Sequence, residues 1–119
     1  DPMKKIYETV LQAQQNALKN MRAGMTGRQI DSLARELIAS YGYADKFTHN
    51  LGHSLGIDIH EDPRFAPFWT EEIAENTVMS VEPGIYVPGL GGVRIEDIVV
   101  LKADGIYNLT NSEKGIIIL

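Results

Sequence analysis

Residues 77–101, TVMSVEPGIYVPGLGGVRIEDIVVL, decide the fold. Two apolar runs, Thr77 to Val87 and Val93 to Leu101, are rich in valine and isoleucine, and Pro88-Gly89-Leu90-Gly91-Gly92 joins them as a hairpin connection. The pattern predicts two antiparallel strands. An acid stands inside each run, Glu82 in the first and Glu96 in the second. A hairpin centred near Leu90 pairs position 82 roughly with 98. That places Glu82 and Glu96 one diagonal step apart on one face, absent a bulge at Pro83. Arg94 shares the face and Asp97 points the other way. Two carboxylates on a buried face repel, and unpaired they cost several kcal/mol or take up a proton. A divalent cation between them relieves this. An ion pair from Arg94 to either acid is the structural alternative.

Upstream lies residues 48–63, THNLGHSLGIDIHEDP, which hold all three histidines of the chain: His49, His53 and His60. Gly52 and Gly56 weaken any regular element and let backbone or ligand approach closely. In an extended segment, residues four apart face the same side, so His49 and His53 point together. His60 has the opposite parity unless the chain bends at Gly56. Three imidazoles here, with buried acids downstream, suit a site for hard or borderline cations, against the bland reading of hydrogen-bonded structural histidines.

The flanks supply the rest of the domain. Ile6, Val10, Ala13, Ala17 and Met21 recur at helical spacing, widened by Leu11 and Leu18, and predict a helix from Pro2 to Arg22. Gly24 suits its left-handed stop. A second helix occupies Met25 to Gly42. Thr26 and Gln29 form its capping box, Met25 and Ile30 a hydrophobic staple, and Ile30, Leu33, Ala34, Leu37, Ile38 and Tyr41 one apolar face. Residues 63–75 read as a surface loop because Pro67 interrupts Phe65, Phe68 and Trp69. Ala103-Asp104-Gly105 is a turn before short closing strands, Ile106 to Leu109 and Ile116 to Leu119. Two amphipathic helices need a surface to cover, and the strands offer it. The expected class is α+β, two helices packed on an antiparallel sheet.

The totals set bounds. The chain has 119 residues, 44% hydrophobic, enough for one domain and too few for two. A net charge of −5 without long runs of one sign argues against nucleic acid or an anionic membrane as partner. The chain contains no cysteine, which removes disulfides and thiolate metal ligands from consideration. No apolar run reaches the roughly 20 residues of a membrane span. The expected location is cytoplasmic.

Several ordered segments together resemble the pita-bread metallopeptidases: Phe47-Thr48-His49, Gly52-His53, Gly56, His60-Glu61 and Pro63, Val81-Glu82-Pro83-Gly84-Ile85-Tyr86, and Gly92-Val93-Arg94-Ile95-Glu96-Asp97. Within that superfamily they look most like the Xaa-Pro dipeptidase (prolidase) and aminopeptidase P branch. The resemblance implies half of a pita-bread, or creatinase-type, fold across residues 1–119. It also implies a site with two divalent metals, commonly manganese, cobalt or zinc, held by two Asp, one His and two Glu. By similarity His53 is the histidine ligand, Glu82 the next, and Glu96 the bridging carboxylate. Glu82 also matches the glutamate beside the attacking water. His49 and His60 match histidines that bind substrate and steady the tetrahedral intermediate, and Arg94 orients neighbouring acids. Ser54, where many members have glycine, and Asn50-Leu51, in place of small residues, depart from the pattern without removing a ligand.

The family's two aspartate ligands precede the first helix, and Asp45, Asp58, Asp62 and Asp97 do not match them. The chain is therefore expected to be the C-terminal portion of the catalytic domain, with three of five ligands, inactive alone and completed by the missing N-terminal half. An Xaa-Pro peptide is the implied substrate of the parent enzyme. Uncovered sheet suggests a possible homodimer. Two other readings remain open at this point: a creatinase-like amidinohydrolase without metal, and a non-catalytic module that binds peptide or protein.

Overall fold

A computed structural model describes residues 2–55 and 63–110 and the backbone of 115–118. His60, assigned a substrate-binding role above, lies outside the described residues. Two helices, α1 (Pro2–Asn20) and α2 (Gly27–Ser40), pack against one face of an antiparallel sheet. A single turn of 3-10 helix (Ala44–Lys46) follows. Two short strands, β1 (Gly52–His53) and β2 (Arg64–Phe65), pair with one another. The main sheet holds β3 (Val78–Val81), β4 (Gly84–Val87), β5 (Gly91–Lys102), β6 (Gly105–Asn108) and β7 (Gly115–Ile118). Strand β5 pairs antiparallel with all the other four.

The long strand β5 sorts the molecule into two faces. Val93, Ile95, Asp97, Val99 and Leu101 are buried towards the helices, whereas Arg94, Glu96, Ile98 and Val100 alternate with them and are only half-buried. This is the period-2 pattern of a strand with one face in the core. The helices answer with Ile6, Val10, Ala13 and Ala17 of α1 and Ile30, Ala34 and Ile38 of α2, all inaccessible to solvent or nearly so. Each Ile or Val so buried contributes about 1.5–3 kcal/mol. Buried Gln14 of α1 donates from Nε2 to the carbonyl of Ile95 at 3.3 Å, which fixes the helix over the middle of β5.

The capping box at α2 forms as its sequence predicts: Gln29 N donates to Thr26 Oγ1 at 3.0 Å and Thr26 N to Gln29 Oε1 at 2.9 Å. Both helices are shorter than the periodicity suggested. After α1, the amides of Ala23 and Gly24 donate to the carbonyls of Lys102 and Ile73, so the chain turns away to bond with the sheet and the following loop. Tyr41 is the C-cap of α2 and is 45% exposed, its hydroxyl donating to Gln12 Oε1.

Two features of the hairpin differ from expectation. The turn is centred on Gly89, one residue earlier than supposed. Leu90 N donates to Val87 O at 3.0 Å, and Pro88 precedes Gly89 at φ +82°, the signature of a type II turn. Val81 therefore faces Asp97, Ser80 faces Ile98, and Gly84 faces Arg94. One register runs through both strands, so Glu82 lies directly opposite Glu96 instead of a diagonal step away. The second difference is at Pro83. It does not force a bulge, but it splits the first run into β3 and β4, because proline has no N–H for the ladder. Its carbonyl still accepts from Ile95 N at 3.2 Å, and Glu82 N turns to Leu51 O at 2.7 Å.

Candidate active site

The face of the sheet away from the helices carries the chemistry. Strand β1 lies along β3: Leu55 N donates to Val78 O, His53 N donates to Ser80 Oγ at 3.0 Å, and Leu51 O receives Glu82 N. Glycine at 52 permits this approach. A Cβ there would stand 1.8 Å from the Ser80 carbonyl oxygen. The alignment delivers the His53 imidazole to Glu82, with Nε2 3.4 Å from Oε2. On the far side of Glu82, Arg94 Nε is 4.0 Å from Oε1. That Nε is buried and has no hydrogen-bond partner among the described residues, so the Arg94–Glu82 contact is loose.

Each of the two histidines sets Nδ1 against a neighbouring carbonyl. His53 Nδ1 is 3.1 Å from the Ser54 carbonyl, and His49 Nδ1 is 2.8 Å from the Asn50 carbonyl. A carbonyl only accepts, so Nδ1 donates in each ring. At His49 the Nε2 meets the Tyr86 hydroxyl in a hydrogen bond. At His53 the Nε2 faces the carboxylate of Glu82. At 3.4 Å that contact calls for a positive charge between nitrogen and oxygen, either a proton on Nε2 or a metal ion.

Burial raises the Tyr86 hydroxyl above its ordinary pKa. The hydrogen bond and positive charge of Arg94 oppose this, and the charge of Glu82 adds to it. Tyr86 is thus a neutral phenol hydrogen-bonded to His49. In the unfolded chain the phenol ionises near 10.0, while in the folded chain it keeps its proton longer. Its contribution to stability is full below that pH and falls as pH rises through the folded pKa. The difference in phenolate absorbance between the wild type and Tyr86→Phe is expected to titrate above pH 10.0. A midpoint at or below that value contradicts this arrangement.

His49, His53, Arg64, Glu82 and Arg94, with Asn50 and Gly52, line one cleft of about 360 Å³. A groove of about 400 Å³ between Ala23-Gly24 and Glu72–Glu75 contains no histidine or cation, and the chemistry lies in the smaller cleft. Glu96, half-buried, faces Glu82 across the strand pair. Among the described residues no three histidine, aspartate and glutamate side chains are gathered closely enough to hold a metal ion. The structure thus brings His53 and Glu82 together, with Glu96 opposite as a neighbour on the same face.

Sequence reasoning gave no role to Tyr86 or Arg64. Tyr86 had a signal: it shares strand parity with Glu82 and Gly84. Arg64 had none, because it faces His53 from a two-residue strand too short for any periodicity.

A model of metallopeptidase family M24 matches residues 1–103. The chain belongs to this family. Among M24 relatives, the Xaa-Pro dipeptidase of Pyrococcus furiosus is 45% identical over 117 residues, 98% of this chain and 34% of that protein. The solved Xaa-Pro dipeptidase from Bacillus anthracis superposes with a TM-score of 0.91 at 42% identity, over 96% of this chain and 32% of the other. The X-Pro aminopeptidase from Thermotoga maritima superposes with a TM-score of 0.89 at 44% identity, over 97% and 33%. The architecture, two helices on antiparallel sheet, is that of half a pita-bread domain. The chain spans about a third of the length of the relatives it matches. No described helix is long and apolar enough to cross a membrane.

The spacing of His53 and Glu82 fits the divalent metal that M24 membership implies. Two ligands sharing a tetrahedral cation at about 2.0–2.1 Å lie roughly 3.3 Å apart, close to the 3.4 Å between His53 Nε2 and Glu82 Oε2.

Proposed function

We propose that the protein carrying this chain is a metal-dependent exopeptidase that hydrolyses the peptide bond preceding proline. Two divalent ions, manganese, cobalt or zinc, are held by His53, Glu82 and Glu96 together with two aspartates from outside this chain. The observation that carries this reading is the convergence of His53 Nε2 and Glu82 Oε2, 3.4 Å apart, in one cleft.

The bound metals would supply Lewis acidity and a water of lowered pKa. The chain's own residues do the rest. Glu82 accepts and returns the proton of the attacking water. His49, backed by Tyr86, and His60 position the substrate and the developing oxyanion. Arg64 and Arg94 give the cleft positive charge with which to orient a substrate carboxylate, and Arg94 also restrains Glu82. The retention of both Glu82 and Glu96 supports this reading over a metal-free amidinohydrolase or a non-catalytic binding module, which have no need of two facing acids.

The isolated 119-residue chain is expected to be inactive. Calorimetric titration with manganese should detect at most weak binding, and an Xaa-Pro dipeptide assay should detect no turnover. Tight uptake of two ions with turnover would overturn the claim that this chain supplies only part of the cage.

A further inference from the structure

We propose that Asp31 and Arg35 of α2 form a positioning clamp for His49, so that the helix sets the geometry of one wall of the cleft. Asp31 is 1% exposed, unusual for a carboxylate, and its partners explain why. Its Oδ2 accepts from Arg35 Nε at 2.7 Å, and its Oδ1 accepts from Arg35 Nη2 at 3.2 Å and from Leu51 N at 3.0 Å. The guanidinium is thereby locked edge-on, and its remaining donors reach the histidine segment. Nη1 donates to Phe47 O at 3.0 Å and Nη2 to His49 O at 2.9 Å. The guanidinium carbon also lies 4.2 Å from the centre of the Phe47 ring, which in turn meets the His49 ring edge-on at 5.1 Å.

Every backbone contact of the clamp falls between Phe47 and Leu51, where no strand or helix fixes the chain. Among the described residues, His49 is therefore held by this pair, by the hydrogen bond to Tyr86, by the Phe47 ring and by the bond from Glu82 N to Leu51 O. The same helix begins against the other wall. A Cβ on Gly27 would stand 2.0 Å from the Arg64 carbonyl, and Arg28 N donates to Trp69 O. One rigid element thus spans from Arg64 to His49. The buried pair has a use beyond stability, because an apolar pair of equal volume would fill the space without satisfying three backbone groups.

Two variants of the full-length protein test this. Arg35→Lys keeps the charge beside Asp31 but cannot span both carbonyls. Asp31→Asn keeps an acceptor for Leu51 N but loosens the guanidinium. The readout is the set of histidine ring nitrogen signals in protein labelled only at histidine, with His49 assigned through His49→Gln. In either variant the His49 signals are expected to move towards their positions in Tyr86→Phe, while those of His53 stay fixed. The kinetic arm rests on the proposed peptidase reading: kcat for an Xaa-Pro dipeptide should fall roughly 10- to 100-fold, with KM and metal content unchanged. His49 signals that stay in place in a folded variant overturn the clamp. So does joint movement of His49 and His53 with a broadened melt, since that marks general loosening. If neither variant folds, the pair is a folding requirement and the positioning role is rejected. If the protein lacks Xaa-Pro activity but His49 moves alone, the clamp stands and the peptidase reading fails.

Discussion

Glu82→Gln in the full-length protein is expected to lower Xaa-Pro hydrolysis by about 10²- to 10⁴-fold, the range carried by a general acid–base group, and to weaken metal binding. The same change is expected to leave the metal-free protein as stable as before, or more stable by about 1 kcal/mol. The two effects have one cause. Without a metal, the carboxylate of Glu82 lies across the register from Glu96, and its contact with Arg94 is loose at 4.0 Å. Glutamine is nearly isosteric and its amide can still hydrogen-bond to His53 Nε2, 3.4 Å from Glu82 Oε2. It also removes one of two facing negative charges. Two facing acids cost folding free energy and become useful when a cation is bound. Chemical denaturation of chelated wild type and variant, alongside metal titration and turnover, measures all three quantities. A variant that loses stability without metal, or keeps its activity, would place Glu82 in a structural ion pair with His53 or Arg94.

The second large effect is expected at Gly52. Its missing Cβ direction runs into the Ser80 carbonyl, with the oxygen at 1.8 Å and the carbon at 2.7 Å. Those are backbone atoms of β3 and cannot rotate aside. Gly52→Ala must push β1 off β3, which breaks the bond from His53 N to Ser80 Oγ and that from Glu82 N to Leu51 O. The cost is expected at about 3 kcal/mol, the upper range for overpacking. Metal affinity should fall with it, because the same displacement carries the His53 imidazole away from Glu82. A denaturation midpoint within error of wild type would mean that β1 is free to shift, and that His53 is not held by this strand pairing.

Much of this fold could be read from local sequence. The capping box of Thr26 and Gln29, the apolar stripes of both helices and the alternation along β5 are short-range patterns, and each forms as its residues dictate. The hairpin register was missed by one residue because Pro88-Gly89 makes its own turn, and only the φ of Gly89 fixes where the strands begin to pair. The break at Glu82-Pro83 was concealed inside an apolar run. It matters for the site, since it frees the Glu82 amide to bond with Leu51 and so ties the acid to the histidine strand.

The candidate site was legible in part. His49 and His53 were expected to point together as residues of one extended strand. They do line one cleft, but only His53 is in a strand, and His49 is held by Asp31, Arg35 and Tyr86. Those partners lie far off in sequence, so no spacing rule could have reached them. Arg64 enters the cleft through pairing with His53, again a tertiary fact. The role given to His60 falls outside the described residues.

The central claim is that His53, Glu82 and Glu96 share a metal. It is tested most directly by crystals of the full-length protein grown with zinc, in which anomalous scattering locates the ion. The account predicts a peak about 2.0–2.2 Å from His53 Nε2 and from carboxylate oxygens of both Glu82 and Glu96. A fully occupied zinc site elsewhere in the molecule, with these three side chains turned apart, would contradict it.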